Sequence, residues 1–204
     1  MKSDAIAYGI AGVFFGLIAG WIIGSQQQSA VRPAPAAQTA EAAPAAPGSS
    51  QTRAAILDET QVNALKSVAE REPSNAKPRV ELGNLYFDAE RYSDAIKWYG
   101  EAVKLQPNDV NTSTDLGVSY YYTNQPDKAL AQFDQSLKID PKHAKTLLNI
   151  GIVRAFGKQD LDGASKAWQE VIKLAPDSPE GQAAKRALDS LSSAHSGINK
   201  PGQP

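Results

Sequence analysis

A pattern with a period of 34 residues runs through this chain from Pro73 to Pro176 and limits the folds open to it. Gly83, Gly117 and Gly151 follow one another at this interval, each preceded by leucine or isoleucine. Alanine, aromatic and proline positions repeat at intervals of 34 or 35 residues: Ala95, Ala129 and Ala164; Tyr99, Phe133 and Trp168; Pro73, Pro107, Pro141 and Pro176. A sequence with this period folds as a stack of similar units, since one unit cannot bury its apolar face alone.

Each unit is predicted to be a pair of helices. Apolar residues recur three and four positions apart, as at Leu82, Leu85 and Tyr86, which is the spacing of one helix face. Proline at the end of each unit stops the second helix, because it lacks a backbone N–H donor. The predicted fold class is therefore all-α, with helices from residue 56 to residue 195.

The order Leu-Gly, tyrosine, alanine, aromatic and proline within each unit resembles the tetratricopeptide-repeat (TPR) family. The resemblance implies a TPR helical-hairpin solenoid of three repeats, which stack into a right-handed superhelix with a concave groove. The implied segments are a flanking helix, the three repeats and a capping helix: 56–75, 76–109, 110–143, 144–178 and 179–195.

The small residues at the repeated positions predict how each hairpin packs. The glycine of the first helix lets the second helix approach closely, and the repeated alanine of the second helix is expected to meet it there. Tyr86 and Tyr99 are expected to fill the wider space between hairpins. The third repeat departs from the pattern, with Arg154 in place of a tyrosine and one extra residue, which is predicted in the loop 157–160.

The uncharged run at residues 5–24, AIAYGIAGVFFGLIAGWIIG, predicts a transmembrane helix. A helix of this length is about 30 Å long and matches the hydrocarbon core of a bilayer. A cleaved signal peptide is the alternative, because Ser29 and Ala30 supply small residues, although its apolar core is normally only about 7–15 residues long. Lys2 and the free amino terminus favour the N-in orientation. In a bacterium this orientation predicts an inner-membrane protein with its C-terminal domain in the periplasm.

Four glycines of this segment, Gly12, Gly16, Gly20 and Gly24, are spaced four residues apart and form a stripe without side chains. Such a stripe lets a second helix pack closely in lipid, so it predicts pairing with another membrane helix or homo-oligomerisation. The alternative is that glycine is simply commoner in membrane helices than in soluble ones.

Two further regions are predicted to lack stable structure. Residues 25–55 are rich in alanine and proline and almost free of large apolar side chains. They predict a flexible linker that lets the next domain stand off from the membrane. Residues 1–4 form a short N-terminal tail, and residues 196–204 are predicted to be disordered.

Composition argues against several functional classes. The formal net charge of −1 lacks the basic excess typical of nucleic-acid binding, so no nucleic-acid partner is predicted. The chain has no cysteine and only two histidines, His143 and His195, so neither a metal site nor a cofactor is predicted. His143 follows proline and lysine in a turn and is expected to be solvated. The sequence has no nucleophile or nucleotide-binding motif, which predicts that the protein is not an enzyme.

The resemblance implies that partners bind in the concave groove, which in this family is lined mainly by the first helix of each repeat. Carried over to this sequence, the groove residues are Asn84, Phe87, Asp88, Thr114, Val118, Tyr121, Tyr122, Lys145, Leu148, Ile152 and Phe156. Their aromatic rings suit an extended peptide or a partner helix. The alternative is that some of them, especially Leu148 and Ile152, belong to the core between repeats.

A subset of TPR proteins grips a C-terminal carboxylate with a clamp of lysine, arginine and asparagine. Asn84 and Lys145 stand at clamp-like positions in this sequence. However, Val80 and Asp115 stand where a lysine and an asparagine are needed. The sequence therefore argues against such a clamp.

Three functions are open on the sequence alone. The first is a membrane-anchored scaffold or adaptor that binds a protein or peptide partner in the groove. The second is a chaperone-like module that holds clients, similar to the periplasmic TPR portions of cytochrome c maturation proteins. The third is an oligomer that assembles through the glycine stripe and is regulated by the repeats. The first is the predicted function, because solenoid proteins generally bind partners on their concave face.

Overall fold

The structure is a computed structural model that describes residues 57–198, with side chains described as far as residue 193. Eight α-helices joined by short turns make up this part of the chain, which contains no β-strand. The all-α prediction is therefore confirmed for this part. The predicted N-terminal tail (1–4), the transmembrane helix (5–24) with its glycine stripe, and the linker (25–55) lie outside the described residues. Between residues 57 and 198, no helix is both long and apolar enough to cross a bilayer.

The helices follow one another in pairs along the chain. Their bounds are α1 Glu59–Arg71, α2 Lys77–Asp88, α3 Tyr92–Leu105, α4 Val110–Tyr122, α5 Pro126–Ile139, α6 Ala144–Ile152, α7 Leu161–Leu174 and α8 Pro179–Ile198. α6 continues directly into a π-helical turn, Val153–Gly157. Each helix packs against the next, and α6 also contacts α4 and α8. The first helices of the second and third hairpins therefore lie side by side.

The last helix is longer than predicted. α8 ends at Ile198 rather than at the predicted boundary, residue 195, so residues 196–198 are helical and not part of a disordered tail. The next residue that would interrupt a helix, Pro201, lies further along the chain. Residues 199–204 lie outside the described part of the structure.

Side chains at the helix starts satisfy backbone groups that the helices leave unpaired. Asp58, Asp109 and Asp160 precede α1, α4 and α7, and each carboxylate accepts hydrogen bonds from N–H groups of the first turn. These bonds are between 2.8 and 3.2 Å long. Pro126 begins α5 and Pro78 lies in the first turn of α2, where a missing N–H costs nothing.

An aromatic ring of the second helix covers the glycine of the first helix in every hairpin. A methyl group added to the glycine would overlap this ring; the pairs are Gly83 and Tyr99, Gly117 and Phe133, and Gly151 and Trp168. The nearest groups to the glycines are therefore rings and not the predicted alanines. The alanines lie one helical turn before the rings and are fully buried: Ala95, Ala129 and Ala164.

The two tyrosines that were expected between hairpins have different positions. Tyr99 lies inside its own hairpin, against Gly83, because a flat ring fits the gap that a glycine leaves. Tyr86 is buried, and Lys66 of α1 lies over its ring with the ammonium 5.8 Å from the ring centre. The expectation is thus wrong for Tyr99, whereas Tyr86 does face the neighbouring helix α1.

The extra residue of the third repeat lies in a helix and not in the predicted loop 157–160. Glu90, Asn124 and Gln159 occupy the turn of each hairpin with φ of 58°, 57° and 56°. Gln159 is eight residues after the repeat glycine, whereas the other two are seven residues after theirs. The additional residue therefore precedes Gln159, in the π-helical turn Val153–Gly157, because a π turn holds more residues than an α turn.

Candidate protein-binding groove

Four aromatic side chains meet where the first and second repeats adjoin. Phe87 of α2, Tyr92 of α3, and Tyr121 and Tyr122 of α4 form what we call the aromatic cluster. Tyr92 and Tyr122 are stacked, with ring centres 4.5 Å apart and 12° between the planes. Phe87 meets both edge-on, at 5.2 and 5.7 Å, and Tyr121 lies 5.8 Å from Tyr122. Phe87 is buried, while the three tyrosines are half-buried, so the cluster offers aromatic surface to solvent.

The surroundings of the cluster extend the neutral range of its phenol groups to higher pH. Burial, and then the charge of Glu90, raises the pKa of Tyr92 to about 12. Burial also raises the pKa of Tyr121 and, with smaller contributions from Tyr92, Tyr121 and Glu90, that of Tyr122. At physiological pH the cluster therefore presents uncharged rings, with hydroxyl groups that can donate hydrogen bonds.

The π-helical turn of the third repeat lies against the aromatic cluster. A methyl group added to Gly157 would lie 3.3 Å from Cε2 of Tyr121 and 2.9 Å from Cβ of Pro126. Phe156, the residue before this glycine, is half-buried. The turn thus extends the aromatic surface from the second repeat towards the third.

Polar side chains on the first helices form a second group, which we call the polar row: Asn84, Asp88, Asp115 and Lys145. Nζ of Lys145 on α6 lies 2.7 Å from Oδ1 of Asp115 on α4, and the two side chains are only 23% and 15% exposed. The Tyr99 hydroxyl donates a hydrogen bond of 2.7 Å to Oδ1 of Asn84. The lysine and the asparagine at the clamp-like positions are therefore both bonded within this chain.

The two carboxylates of the polar row lie in unfavourable surroundings. Burial raises the pKa of Asp115, although the Lys145 ammonium opposes this change. Burial, and then repulsion by Asp115, raises the pKa of Asp88. Asp88 and Asp115 are therefore close enough for their charges to repel each other.

Five of the eleven predicted groove residues are packed away from solvent. Phe87, Thr114, Val118, Leu148 and Ile152 are each less than a tenth exposed. The Thr114 hydroxyl lies 2.7 Å from that of Thr146, and it also donates to the carbonyl of Val110. These side chains contribute to the core between repeats. The remaining six are half-buried: Asn84, Asp88, Tyr121, Tyr122, Lys145 and Phe156.

His143 is only partly exposed, whereas the sequence led us to expect a solvated side chain. Its ring is half-buried, and Nδ1 lies 2.7 Å from the hydroxyl oxygen of Thr146. Since Thr146 also contacts Thr114, the three residues form a polar chain between α4 and α6. Burial lowers the pKa of His143, because a charged imidazole loses hydration there.

Tyr92 is the member of the aromatic cluster that the sequence did not reveal. It is the first residue of α3, and the equivalent positions of the next two repeats hold Pro126 and Leu161. The position therefore carries no periodic signal. It belongs to the second helix of its hairpin, whereas groove residues are expected on first helices.

In the described part of the chain, no group of three histidine, aspartate or glutamate residues lies close enough together to hold a metal ion. The chemistry that this surface offers consists of ring faces, hydroxyl groups and the carboxylates of Asp88 and Glu90. Such groups bind a ligand by contact area, hydrogen bonds and charge.

Two family models match the repeats. The model described as TPR repeat matches residues 83–124, and the model described as tetratricopeptide repeat matches residues 114–143. No curated protein is similar enough to the chain to count as a match.

Solved structures have a similar fold. The crystal structure of MamA has a TM-score of 0.54 at 18% identity and covers 69% of this chain and 90% of its own. The first TPR of Spaghetti (RPAP3), bound to the HSP90 peptide SRMEEVD, has a TM-score of 0.50 at 22% identity and covers 69% and 97%. The Sgt2 TPR domain from Aspergillus fumigatus has a TM-score of 0.54 at 22% identity and covers 63% and 87%. At these identities the likeness concerns the fold alone.

The described part of the chain therefore carries tetratricopeptide repeats in an all-helical solenoid. The TPR resemblance and the predicted solenoid are confirmed for this part. Domains of this class generally mediate protein–protein interaction and are generally not enzymes.

Proposed function

We propose that this protein is a membrane-anchored scaffold or adaptor that binds a peptide segment of a partner protein on the aromatic cluster. The observation that carries the proposal is the half-exposed stack of Tyr92 on Tyr122, with Phe87 and Tyr121 beside it. Residues from two repeats build this surface, so it forms only when the solenoid is assembled.

Aromatic rings are well suited to holding a peptide. A tyrosine supplies a large contact area and loses little side-chain entropy on binding, and its hydroxyl can hydrogen-bond a peptide backbone. The three tyrosines are half-buried by their neighbours, so their rings are held in place before a partner arrives. A related fold provides a precedent, since the first TPR of Spaghetti (RPAP3) is bound to a peptide.

The anchoring part of the proposal rests on the sequence of residues 5–24. Its 20 uncharged residues suit a single transmembrane helix, and the charges at its ends favour a C-terminal domain in the periplasm of a bacterium. The segment 25–55 then acts as a tether that gives the repeats reach from the membrane. The glycine stripe at Gly12, Gly16, Gly20 and Gly24 lets a second membrane helix pack closely against this one.

A crosslinking pull-down from native membranes tests this function. Full-length protein is compared with a Tyr121→Glu, Tyr122→Glu double variant, in which two carboxylates replace the rings. A matched control carries Gln135→Glu and Gln169→Glu, which add the same charge at exposed positions of α5 and α7. Circular dichroism checks that all three proteins keep their helix content.

We expect the wild-type protein and the Gln135→Glu, Gln169→Glu control to capture the same small set of proteins. The Tyr121→Glu, Tyr122→Glu variant is expected to lose these proteins. The two carboxylates do not reproduce the contact area and shape of the aromatic rings, and burying their charges against a partner is costly. Unchanged capture by the tyrosine double variant would overturn the proposed binding surface. Capture of nothing but further copies of this chain would instead point to the glycine stripe as the site of assembly.

A further inference from the structure

The first helix of every repeat has an aromatic residue at the same distance from the turn that follows it. The reference points are the turn residues Glu90, Asn124 and Gln159. Three positions before them, all residues are aromatic: Phe87, Tyr121 and Phe156. Two positions before them, the residues differ: Asp88, Tyr122 and Gly157. The extra residue in the π-helical turn therefore restores the aromatic position and places a glycine where the second repeat has a tyrosine.

The two junctions between repeats follow the same plan with side chains of different size. In the first junction, both rings of the stacked tyrosine pair meet Phe87 edge-on, and Phe87 is only 8% exposed. In the second junction, the equivalents of the two stacked tyrosines are Pro126 and Gly157, and Tyr121 is the equivalent of Phe87. Since a proline and a glycine cover less of a ring than two tyrosines do, Tyr121 keeps part of its ring at the surface.

The π-helical turn lies too close to its neighbours for any residue larger than glycine at position 157. A Cβ atom added there would lie 2.9 Å from Cβ of Pro126 and 3.3 Å from Cε2 of Tyr121. Carbon atoms that are not bonded to each other pack best at about 3.5–4.0 Å. The ring of Pro126 includes its backbone nitrogen and cannot rotate away. Either the turn or the ring of Tyr121 would therefore have to move.

Contacts on two sides hold the turn in this position. Nζ of Lys158, the residue after the turn, lies 2.6 Å from Oδ1 of Asp127 in the first turn of α5. The N–H group of Lys158 also donates a hydrogen bond of 3.1 Å to the carbonyl of Val153. Arg154 lies 2.7 Å from Asp160, whose carboxylate also caps α7. The turn is thus connected both to the second repeat and to its own hairpin.

We propose that the π-helical turn positions the binding surface, and that Gly157 and Pro126 set the orientation and exposure of the Tyr121 ring. The inference rests on the proposed function, in which Tyr121 contacts the partner segment. It makes the third repeat necessary for a surface whose rings come from the first two. Such turns are rare and occur frequently at functional sites. A ring that already has its binding orientation loses less entropy when the partner arrives.

¹⁹F NMR of the full-length protein in detergent micelles, labelled with 3-fluorotyrosine, tests the positioning. The resonance of Tyr121 is identified as the one that Tyr121→Phe removes. We expect Gly157→Ala to shift this resonance, because the added methyl group presses on the ring. Gly100→Ala is the matched control and should leave it unchanged, since its methyl group meets nothing within 4 Å. Circular dichroism checks that all variants keep their helix content.

A second variant separates positioning from a general loss of packing. Gly157→Ala combined with Pro126→Gly adds one Cβ atom and removes the one that it would overlap most closely. The Tyr121 resonance of this double variant is expected to return towards its wild-type position, although the loss of proline from the first turn of α5 lowers stability. A variant that merely unfolds more easily would not regain the wild-type resonance.

Fluorescence anisotropy then measures the effect of the turn on binding. The probe is a linear peptide selected from a random library on the wild-type protein. The same selection is made on the Tyr121→Glu, Tyr122→Glu variant, and peptides that both proteins select are set aside. We expect Gly157→Ala to bind the probe about tenfold more weakly than the wild-type protein, because its Tyr121 ring is displaced, and Gly100→Ala to bind it unchanged.

The outcomes distinguish the inference from the proposed function. A Tyr121 resonance that Gly157→Ala does not shift, or an affinity for the probe that it does not lower, would overturn the inference while the proposed function stands. If the Tyr121→Glu, Tyr122→Glu variant selects the same peptides as the wild-type protein, or if the wild-type protein selects none, the proposed function fails and the inference fails with it.

Discussion

The three repeats have similar residues in the interior of each hairpin, but they differ in the residues that lie along the groove. Inside every hairpin, a ring of the second helix covers a glycine of the first. Along the groove, the positions five residues after these glycines hold Asp88, Tyr122 and Phe156, which are an acid, a phenol and a phenyl ring. The difference indicates that repeated positions maintain the hairpin, whereas positions that vary between repeats line the candidate groove.

The largest effect is expected at a repeated position. Gly117→Val places a branched side chain where the Phe133 ring lies, so the second hairpin cannot close without moving its helices apart. We expect a loss of about 3 kcal/mol in the free energy of unfolding, measured by urea denaturation.

A matched glycine outside the repeat pattern provides the control for that variant. A methyl group added to Gly100 of α3 meets nothing within 4 Å. Gly100→Ala is therefore expected to stabilise the protein by up to about 1 kcal/mol, because alanine favours the helix over glycine. If both glycine variants lower stability equally, the repeated glycine is no more important for packing than Gly100, which would contradict the comparison.

The next effect is expected at the boundary between core and groove, where Thr114 contacts Thr146. Thr114→Val removes a buried hydroxyl and is expected to cost about 1–2 kcal/mol, because a partner group loses a hydrogen bond. The double variant with Thr146→Val should cost less than the sum of the two single variants, since both remove the same contact. Thr60→Val, at an exposed position of α1, should change stability by less than about 0.5 kcal/mol.

His143 gives this boundary a pH dependence. Its pKa in the folded protein lies below the ordinary value of 6.5, since burial and Lys145 outweigh the opposing charges of Asp140, Asp115 and Glu180. The unfolded chain therefore binds the proton first, so stability falls as the pH decreases from 6.5 through the folded-state pKa. Urea midpoints at about pH 7.5 and about pH 5.5 should differ more for the wild type than for His143→Gln. Equal differences would mean that other groups cause the pH dependence.

The smallest effect on stability is expected at Asp88, in the polar row. The pKa of Asp88 is raised in the folded protein, so its stabilising contribution is lost as the pH rises from 3.8 through the folded-state pKa. Asp88→Asn should therefore leave the protein as stable as before at neutral pH or raise its stability by at most about 0.5 kcal/mol. Thermal unfolding of the two proteins measures this change. A clear loss of stability would show instead that the Asp88 carboxylate supports the fold.

Much of the fold could be predicted because its signals are local or periodic. The glycine and proline positions at intervals of 34 or 35 residues indicated helical hairpins, and the part described as residues 57–198 consists of helices. The contact partners within a hairpin could not be predicted in the same way. Alanine and ring are one helical turn apart on the same face of a helix, so spacing alone does not decide which of them meets the glycine.

The candidate site could be predicted only in part. Tyr121 and Tyr122 were expected at the groove, and they belong to the aromatic cluster. Tyr92 was not predicted, because it belongs to a second helix and the equivalent positions of the other repeats hold no aromatic residue. Thr114, Leu148 and Ile152 satisfy the same helical spacing as groove residues but are buried. Their burial depends on how closely neighbouring first helices pack, which the sequence of one helix does not contain.

The sequence by itself determined that the chain repeats a helical hairpin three times, since period, glycine and proline act through local backbone geometry. The tertiary structure decided which side chains remain at the surface and what surrounds them. The stack of Tyr92 on Tyr122, the pair of Asp115 with Lys145 and the position of Asp88 near Asp115 each join two different helices. Such arrangements depend on the distance and orientation between helices, because packing and charge act through space and not along the chain.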